Sequence, residues 1–168
     1  VRYQVARVDR VLREELELPD GLADPNVVVL DPCCGTGAYL VEVLRTIAET
    51  LRGKGVDALV AAELKKAAMT RVFGFEIMPA PFVVSHLQLA SMLQKLGAPL
   101  AYDRGERAGV YLTNALTGWR PPQGEKQRWM DFLELAEERD AADRVKREQR
   151  ILVVLGNPPY NAFAGVSP

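Results

Sequence analysis

Asn26-Val27-Val28-Val29-Leu30-Asp31-Pro32-Cys33-Cys34-Gly35-Thr36-Gly37 is the stretch that decides the fold. Its first half, Asn26–Asp31, is a β-branched run with no polar alternation, the pattern of a parallel strand buried on both faces. Its second half is a turn. From Ala38 to about Leu51, Leu40, Val43, Leu44, Ile47 and Leu51 recur at three- and four-residue spacing, so a helix follows. A strand, a glycine-bearing turn and a helix in that order make one half of a βαβ unit.

The same rhythm extends in both directions. Upstream, Val5, Val8, Val11, Leu12 and Leu16 predict a helix within Val1–Leu18, ended by Pro19-Asp20-Gly21. Downstream, Gly53 and Gly55 break the helix, and a second one is predicted from Asp57 to Thr70. Arg71–Ile77 reads as a strand and Pro79–Lys95 as a helix stopped by Gly97 and Pro99. Gly109–Thr113 reads as a third strand, and Trp119-Arg120-Pro121-Pro122 as a break. Gly124–Arg150 mixes acids and bases in near balance with threaded apolar residues, the pattern of a solvated helix packed by one face; a partner-binding helix is the alternative. Ile151–Leu155 reads as a fourth buried strand. Alternating strands and helices predict an open, mostly parallel α/β sheet, in which sites form at the carboxyl ends of the strands.

Composition agrees. The chain has 168 residues, 48% apolar and 26% charged, enough for a core and unlike a disordered chain. Its formal net charge of −1 argues against a stand-alone basic clamp on nucleic acid, and leaves room for a catalytic piece whose grip on a polymer lies elsewhere. No apolar run reaches the ~18 residues that span a bilayer, so no membrane role is expected. The first residues lack the features of a signal peptide. Two adjacent cysteines, Cys33 and Cys34, neither staple a fold nor have metal-site spacing, and read as small packing residues in the turn. A cytoplasmic protein is expected. The chain has no initiator Met and stops soon after its last strand, so it reads as one segment, residues 1–168 with no second domain, of a longer protein.

Three strand ends carry chemistry. Gly35 and Gly37, between a strand and a helix, let a ligand approach the backbone near the positive end of the helix dipole. The third glycine of a dinucleotide fingerprint falls at Leu40, and a P-loop lysine is missing. Asp31 just before the glycines sits poorly beside a pyrophosphate and well beside an ammonium or sulfonium group. Glu76 closes the second strand. An acid there accepts hydrogen bonds from ribose hydroxyls, although an acid at a strand end is also often simply exposed. Its separation from Gly37 is about twice the ~20 residues of the dinucleotide pattern, and the helix over Asp57–Thr70 accounts for the excess. Asn157-Pro158-Pro159-Tyr160 follows the fourth strand. Two prolines fix a rigid turn, which either just ends the strand or presents the Asn157 Oδ1 and the Pro158 carbonyl as two acceptors for one amino group, with Tyr160 to stack on the ring that bears it.

Together, DPCCGTGAYL, FGFEI, LTNAL and GNPPY resemble the amino-group DNA methyltransferases that use S-adenosylmethionine, specifically the adenine-N6 class. GVYLTNALTGW and ILVVLGNPPYNAF are most similar to the methyltransferase part of large single-chain, type ISP-like restriction–modification enzymes. The resemblance implies a Rossmann-like class I methyltransferase fold, truncated to about four strands, of which residues 1–168 are the N-terminal, cofactor-binding part. It implies that Asp31, Pro32, Cys33, Gly35, Thr36 and Gly37 hold the methionine end of S-adenosyl-L-methionine. Glu76 then binds the ribose, Ile77 lies against the adenine ring, and Asn114 and Ala115 meet the adenine edge, where many relatives have an acid. Asn157 and Pro158 accept hydrogen bonds from the N6 of the target base, with Pro159 fixing the turn and Tyr160 stacking on that base. The implied partners are double-stranded DNA with a flipped adenine and the nuclease, helicase and target-recognition regions of the same longer chain. The fragment alone is expected to bind cofactor weakly and not to methylate DNA.

Two other classes remain open: a methyltransferase of protein glutamine or ribosomal RNA, whose NPPY-type turns serve similar planar groups, and a non-catalytic cofactor-binding subunit. A nicotinamide-dependent dehydrogenase is more distant. No metal is implied. His86, the only histidine, and Trp119 and Trp129 read as packing residues.

Overall fold

The computed structural model describes residues 1–55, 57–116 and 133–158. In chain order it has α1 (Arg2–Glu14), a 3-10 turn (Gly21–Ala23), β1 (Val29–Asp31), α2 (Ala38–Gly53), α3 (Asp57–Thr70), β2 (Val72–Glu76), α4 (Pro79–Lys95), a second 3-10 turn (Tyr102–Arg104), β3 (Val110–Leu112), α5 (Leu133–Glu148) and β4 (Val153–Val154). The strands form one parallel sheet in the order β3-β2-β1-β4. The chain moves outward from β1 to β3, then returns to the far side of β1. That reversal makes a topological switch point between β1 and β4, where α/β sheets open a crevice at their carboxyl ends.

Strand periodicity separates two cores. Val29, Val72, Val110 and Val153 face the main cluster, with Leu40, Val43, Leu44 and Ile47 of α2, Leu64 and Ala67 of α3, Leu89 and Leu93 of α4, and Val5 and Leu12 of α1. Leu30, Phe73 and Phe75 face the other side, where Ala142 and Val145 of α5 cover them. Among the described residues α2, α3 and α4 cover one face, with α1 packed on α2, and α5 covers the other. The contact of α2 with the sheet is close enough that a Cβ on Gly74 would meet Leu40 Cδ1 at 2.6 Å and Cys34 Sγ at 3.0 Å, so a larger residue there would push both side chains aside. A bidentate pair between Arg107 and Glu138 fastens α5 beside β3.

Most predicted elements appear where the pattern put them. α3 and α4 match their predicted limits, with Pro79 opening α4 and Gly97, at φ 79°, closing it. α1 ends earlier than Leu18, at Glu14, because the backbone turns over at Glu17 (φ 55°) and Leu18 N–H closes on Leu12 O at 2.9 Å. The reading of Ile151–Leu155 as a buried strand needs correction. β4 is two residues long, Val153 is buried and Val154 is 65% exposed. It is an edge strand among the described residues, and α5 does not cover its outer face. The described part of the charged stretch is α5, a helix packed by one face as expected. His86 packs edge-on against Phe82 with Nε2 3.3 Å from Val110 O, and burial lowers its pKa, ahead of the Arg107 charge. Trp119 and Trp129 lie outside the described residues. No helix among the described residues is long and apolar enough to cross a membrane.

Candidate functional site

At the carboxyl end of the sheet a cavity of about 590 Å³ collects residues from all four strand ends. Pro32, Cys33 and Gly35 come from the turn after β1, Glu76, Ile77 and Met78 from the end of β2, Thr113, Asn114, Ala115 and Leu116 from the end of β3, and Asn157 and Pro158 from the turn after β4; Pro81 of α4 completes the lining. A shallower depression of about 400 Å³ between α2 and α4 has Arg45 and Lys95 at its sides and none of the motif residues.

Glu76 organises the first half of the site. It is buried, its Oε2 accepts the Gly35 N–H at 2.9 Å and its Oε1 accepts the Met78 N–H at 2.8 Å. One carboxylate therefore binds the glycine turn to the start of α4, and each oxygen keeps a lone pair for a further donor. Gly35 has φ 55° and open space where a Cβ would stand, so its backbone is accessible. Gly37 serves another purpose. Its φ of 87° starts α2, and a Cβ there would press on Ser85 at 3.2 Å, so it is a packing glycine.

Asp31 is 1% exposed. Its Oδ1 accepts the Cys33 N–H at 3.1 Å, and its Oδ2 has no hydrogen-bond partner among the described residues. Burial pushes its pKa up to about 6, against the pull of the Cys33 N–H and with a push from Glu76. The turn after β4 rests directly on it: a Cβ on Gly156 would lie 2.4 Å from Asp31 Oδ1 and 3.5 Å from Cys33 Sγ. The Asn157 backbone N–H also reaches the Cys33 thiol, whose pKa burial and the two carboxylates nevertheless raise. Cys34 is buried, with its pKa raised by burial to about 12, as suits a packing residue. Among the described residues no His/Cys/Asp/Glu cluster suits a metal ion.

The third strand end is closed by its own bonds. Thr113 N–H reaches Glu76 O at 2.8 Å, and Asn114 Oδ1 accepts the Leu116 N–H at 2.9 Å. Lys146 of α5 donates to Asn114 O at 2.9 Å and to Thr113 Oγ1 at 3.2 Å. Ile77, Met78 and Leu116 are exposed and give the cavity an apolar lip.

The cavity thus brings together Pro32, Cys33, Gly35, Glu76, Ile77, Asn114, Ala115, Asn157 and Pro158, all named from sequence. Thr36, Gly37 and Asp31 are not in its lining, and Asp31 acts from behind the Cys33–Gly156 wall. Pro159 and Tyr160 lie outside the described residues. Sequence reasoning missed Met78, Pro81, Leu116, Gly156 and Lys146. Only Gly156, a glycine at the end of a strand, carried a local signal. Among the described residues the lining has two acceptor-rich strand ends and apolar edges, and holds no lysine or arginine. Acceptors beside apolar edges suit a flat, neutral or cationic ligand.

No protein-family model matches the chain, and no curated protein does. Solved structures do. The chain superposes on the ATP-dependent Type ISP restriction-modification enzyme LlaBIII bound to DNA, with TM-score 0.69 and 22% identity over 92% of this chain and 9% of that one. It superposes on a nuclease-deletion mutant of the Type ISP restriction-modification enzyme LlaGI, in complex with a DNA substrate mimic, with TM-score 0.70 and 20% identity over 92% of this chain and 12% of that one. A DrdV–DNA complex gives TM-score 0.64 and 21% identity, again over 92% of this chain and 12% of that one. At these identities the likeness is one of fold, and the chain spans about a tenth of the length of each of these proteins.

Proposed function

We propose that this chain is the cofactor-binding part of a class I methyltransferase that transfers a methyl group from S-adenosyl-L-methionine to the N6 amino group of adenine in DNA, within a restriction–modification enzyme. The observation that carries this reading is the cavity in which Pro32, Cys33 and Gly35 of the first turn, Glu76-Ile77, Asn114-Ala115 and Asn157-Pro158 converge, with Asp31 behind it. The fold shared with two Type ISP restriction-modification enzymes, both in complexes with DNA or its mimic, supports it.

The residues fit this cofactor. Asp31 holds a buried carboxylate oxygen with no partner among the described residues, and a cationic ligand nearby favours its ionised form. Glu76 offers its remaining lone pairs to ribose hydroxyls. The exposed Ile77 gives an apolar face for the adenine, and Asn114 and Ala115 its edge. When bound, the cofactor supplies an electrophilic sulfonium methyl group.

The chain supplies positioning and acceptors. The exocyclic amine of adenine is a poor nucleophile because its lone pair is delocalised into the ring. Asn157 Oδ1 and the Pro158 carbonyl accept its two N–H groups, favour a pyramidal nitrogen and stabilise the positive charge that develops there. Holding the amine in line accounts for much of the remaining acceleration. The base must leave the duplex to reach the cavity, and Tyr160 stacks on it once flipped. Grip on duplex DNA falls to the nuclease, helicase and target-recognition parts of the longer chain.

The test is methyl transfer by the full-length protein from tritiated cofactor to duplex DNA, RNA and protein. N6-methyladenine is expected in DNA alone. Asn157→Ala is expected to lower transfer by about 10²–10³-fold, the range for removing one charge-stabilising group, with cofactor affinity by calorimetry within about twofold. Label appearing only in RNA or protein overturns the DNA assignment, and transfer unaffected by Asn157→Ala overturns the catalytic one.

A further inference from the structure

Lys146 belongs to the charged stretch whose pattern is that of a solvated helix face, yet its side chain is only 8% exposed. Ala142 and Val145 seat α5 on Phe73 and Phe75, and this brings Lys146 inward, its Nζ 5.2 Å from the centre of the Phe75 ring. There the ammonium donates to Asn114 O and Thr113 Oγ1 and lies 3.6 Å from Asp143 Oδ1. Burial lowers its pKa and Asp143 raises it. Burying an ammonium is unfavourable unless its hydrogens find acceptors, and here they find the cavity wall.

What Lys146 holds is functional surface. Thr113, Asn114, Ala115 and Leu116 all line the cavity. The turn is fixed on one side by Glu76 O and within itself by the Asn114–Leu116 bond, and Lys146 fixes it from behind. The charge also gives the cavity a polarity. Carboxylates stand at the ends of β1 and β2, and an ammonium stands behind the end of β3. A ligand with one cationic end and one neutral ring is favoured with its cation toward Asp31 and Glu76 and its ring toward Asn114.

We infer that Lys146 is a positioning residue that sets the Thr113–Leu116 turn to read the edge of the ligand's heteroaromatic ring. The inference rests on the reading of the cavity as an S-adenosylmethionine site. It makes Lys146 a determinant of ring selectivity, acting through Asn114 and Thr113.

Calorimetry on the full-length protein with S-adenosylhomocysteine and with S-inosylhomocysteine, whose ring carries an oxo group in place of the amino group, tests it. The unaltered protein should prefer the adenosyl ligand. Lys146→Met should narrow that preference by about tenfold, the scale of one buried hydrogen bond to a charged group, and Lys146→Arg should keep it within about twofold. Equal weakening of both ligands by Lys146→Met overturns the inference, because a merely structural tie predicts that result. An unaltered protein that binds both ligands equally also overturns it. If Lys146→Met loses the native circular dichroism, Lys146→Gln takes its place: a narrowed preference supports the inference and an unchanged one overturns it. An unaltered protein that binds neither ligand sinks the reading of the cavity itself, and the inference falls with it; binding without an effect of Lys146 leaves that reading standing and removes only the lysine's role.

Discussion

The two walls of the cavity are built by different means. The wall from β1 and β2 is closed by its own carboxylates: Glu76 binds the N–H of Gly35 and of Met78, and Asp31 binds the N–H of Cys33. The wall from β3 is tied to Glu76 O and within itself by the Asn114–Leu116 bond, and it also takes a side chain from another element, because Lys146 of α5 holds Asn114 and Thr113. Two carboxylates at strand ends hold the first wall. Docking of a single helix adds the last tie of the second. The first should therefore be rigid and energetically dominant, and the second adjustable.

The widest separation between the walls should come from Glu76→Ala. It removes the partner of two backbone N–H groups together with the proposed ribose contacts, and is expected to weaken S-adenosylmethionine about a hundredfold, some 2.7 kcal/mol, by calorimetry on the full-length protein. A loss below about fivefold would put the two walls on a par.

Asp31→Asn comes next, with about a tenfold loss at pH 8. Its pH behaviour sharpens the comparison. Asp31 sits near pKa 6 because burial disfavours its charge. A cationic ligand prefers the ionised form, so affinity should rise between about pH 5 and pH 7 and then level off, and Asp31→Asn should flatten that rise. Stability runs the other way. Because the folded pKa is raised above the ordinary 3.8, the stability Asp31 contributes is full below that value and is lost as pH rises through about 6. Asp31→Asn should therefore raise the melting temperature of the ligand-free protein at pH 8 while weakening cofactor binding. A melting temperature that falls together with affinity would mean Asp31 is a structural group only.

Asn114→Ala should have the smallest effect, about threefold on S-adenosylmethionine affinity, since the exposed side chain's Oδ1 already accepts the Leu116 N–H and Lys146 still holds the backbone. An effect equal to that of Glu76→Ala would reverse the ranking of the walls.

The same division explains what could be read from the sequence. β1, α2, α3 and α4 follow from periodicity and from breakers that act locally, such as Pro79 and Gly97, and the residues of the first wall sit inside short motifs next to those elements. Lys146 was hidden because a run of balanced charge does not say which charge turns inward; that depends on how Ala142 and Val145 dock on Phe73 and Phe75. β4 was misjudged for a related reason. Ile151–Leu155 is apolar throughout, but burial of an edge strand depends on what lies beside it. The glycines of the turn looked equivalent and are not, since Gly35 opens on the cavity and Gly37 closes on Ser85. Asn114 lines the cavity at the end of β3, but the engagement of its side chain by Leu116 comes from the turn and not from the motif.

Gly156 brings the two sides of the proposed reaction together. The turn that presents Asn157 and Pro158 sits against the carboxylate of Asp31 with no room for a methyl group between them. If one side receives the methyl donor and the other the acceptor, their alignment is fixed by an absence, a hydrogen where other residues carry carbon. The spacing between donor and acceptor is then built into the chain, the same whichever ligand arrives first.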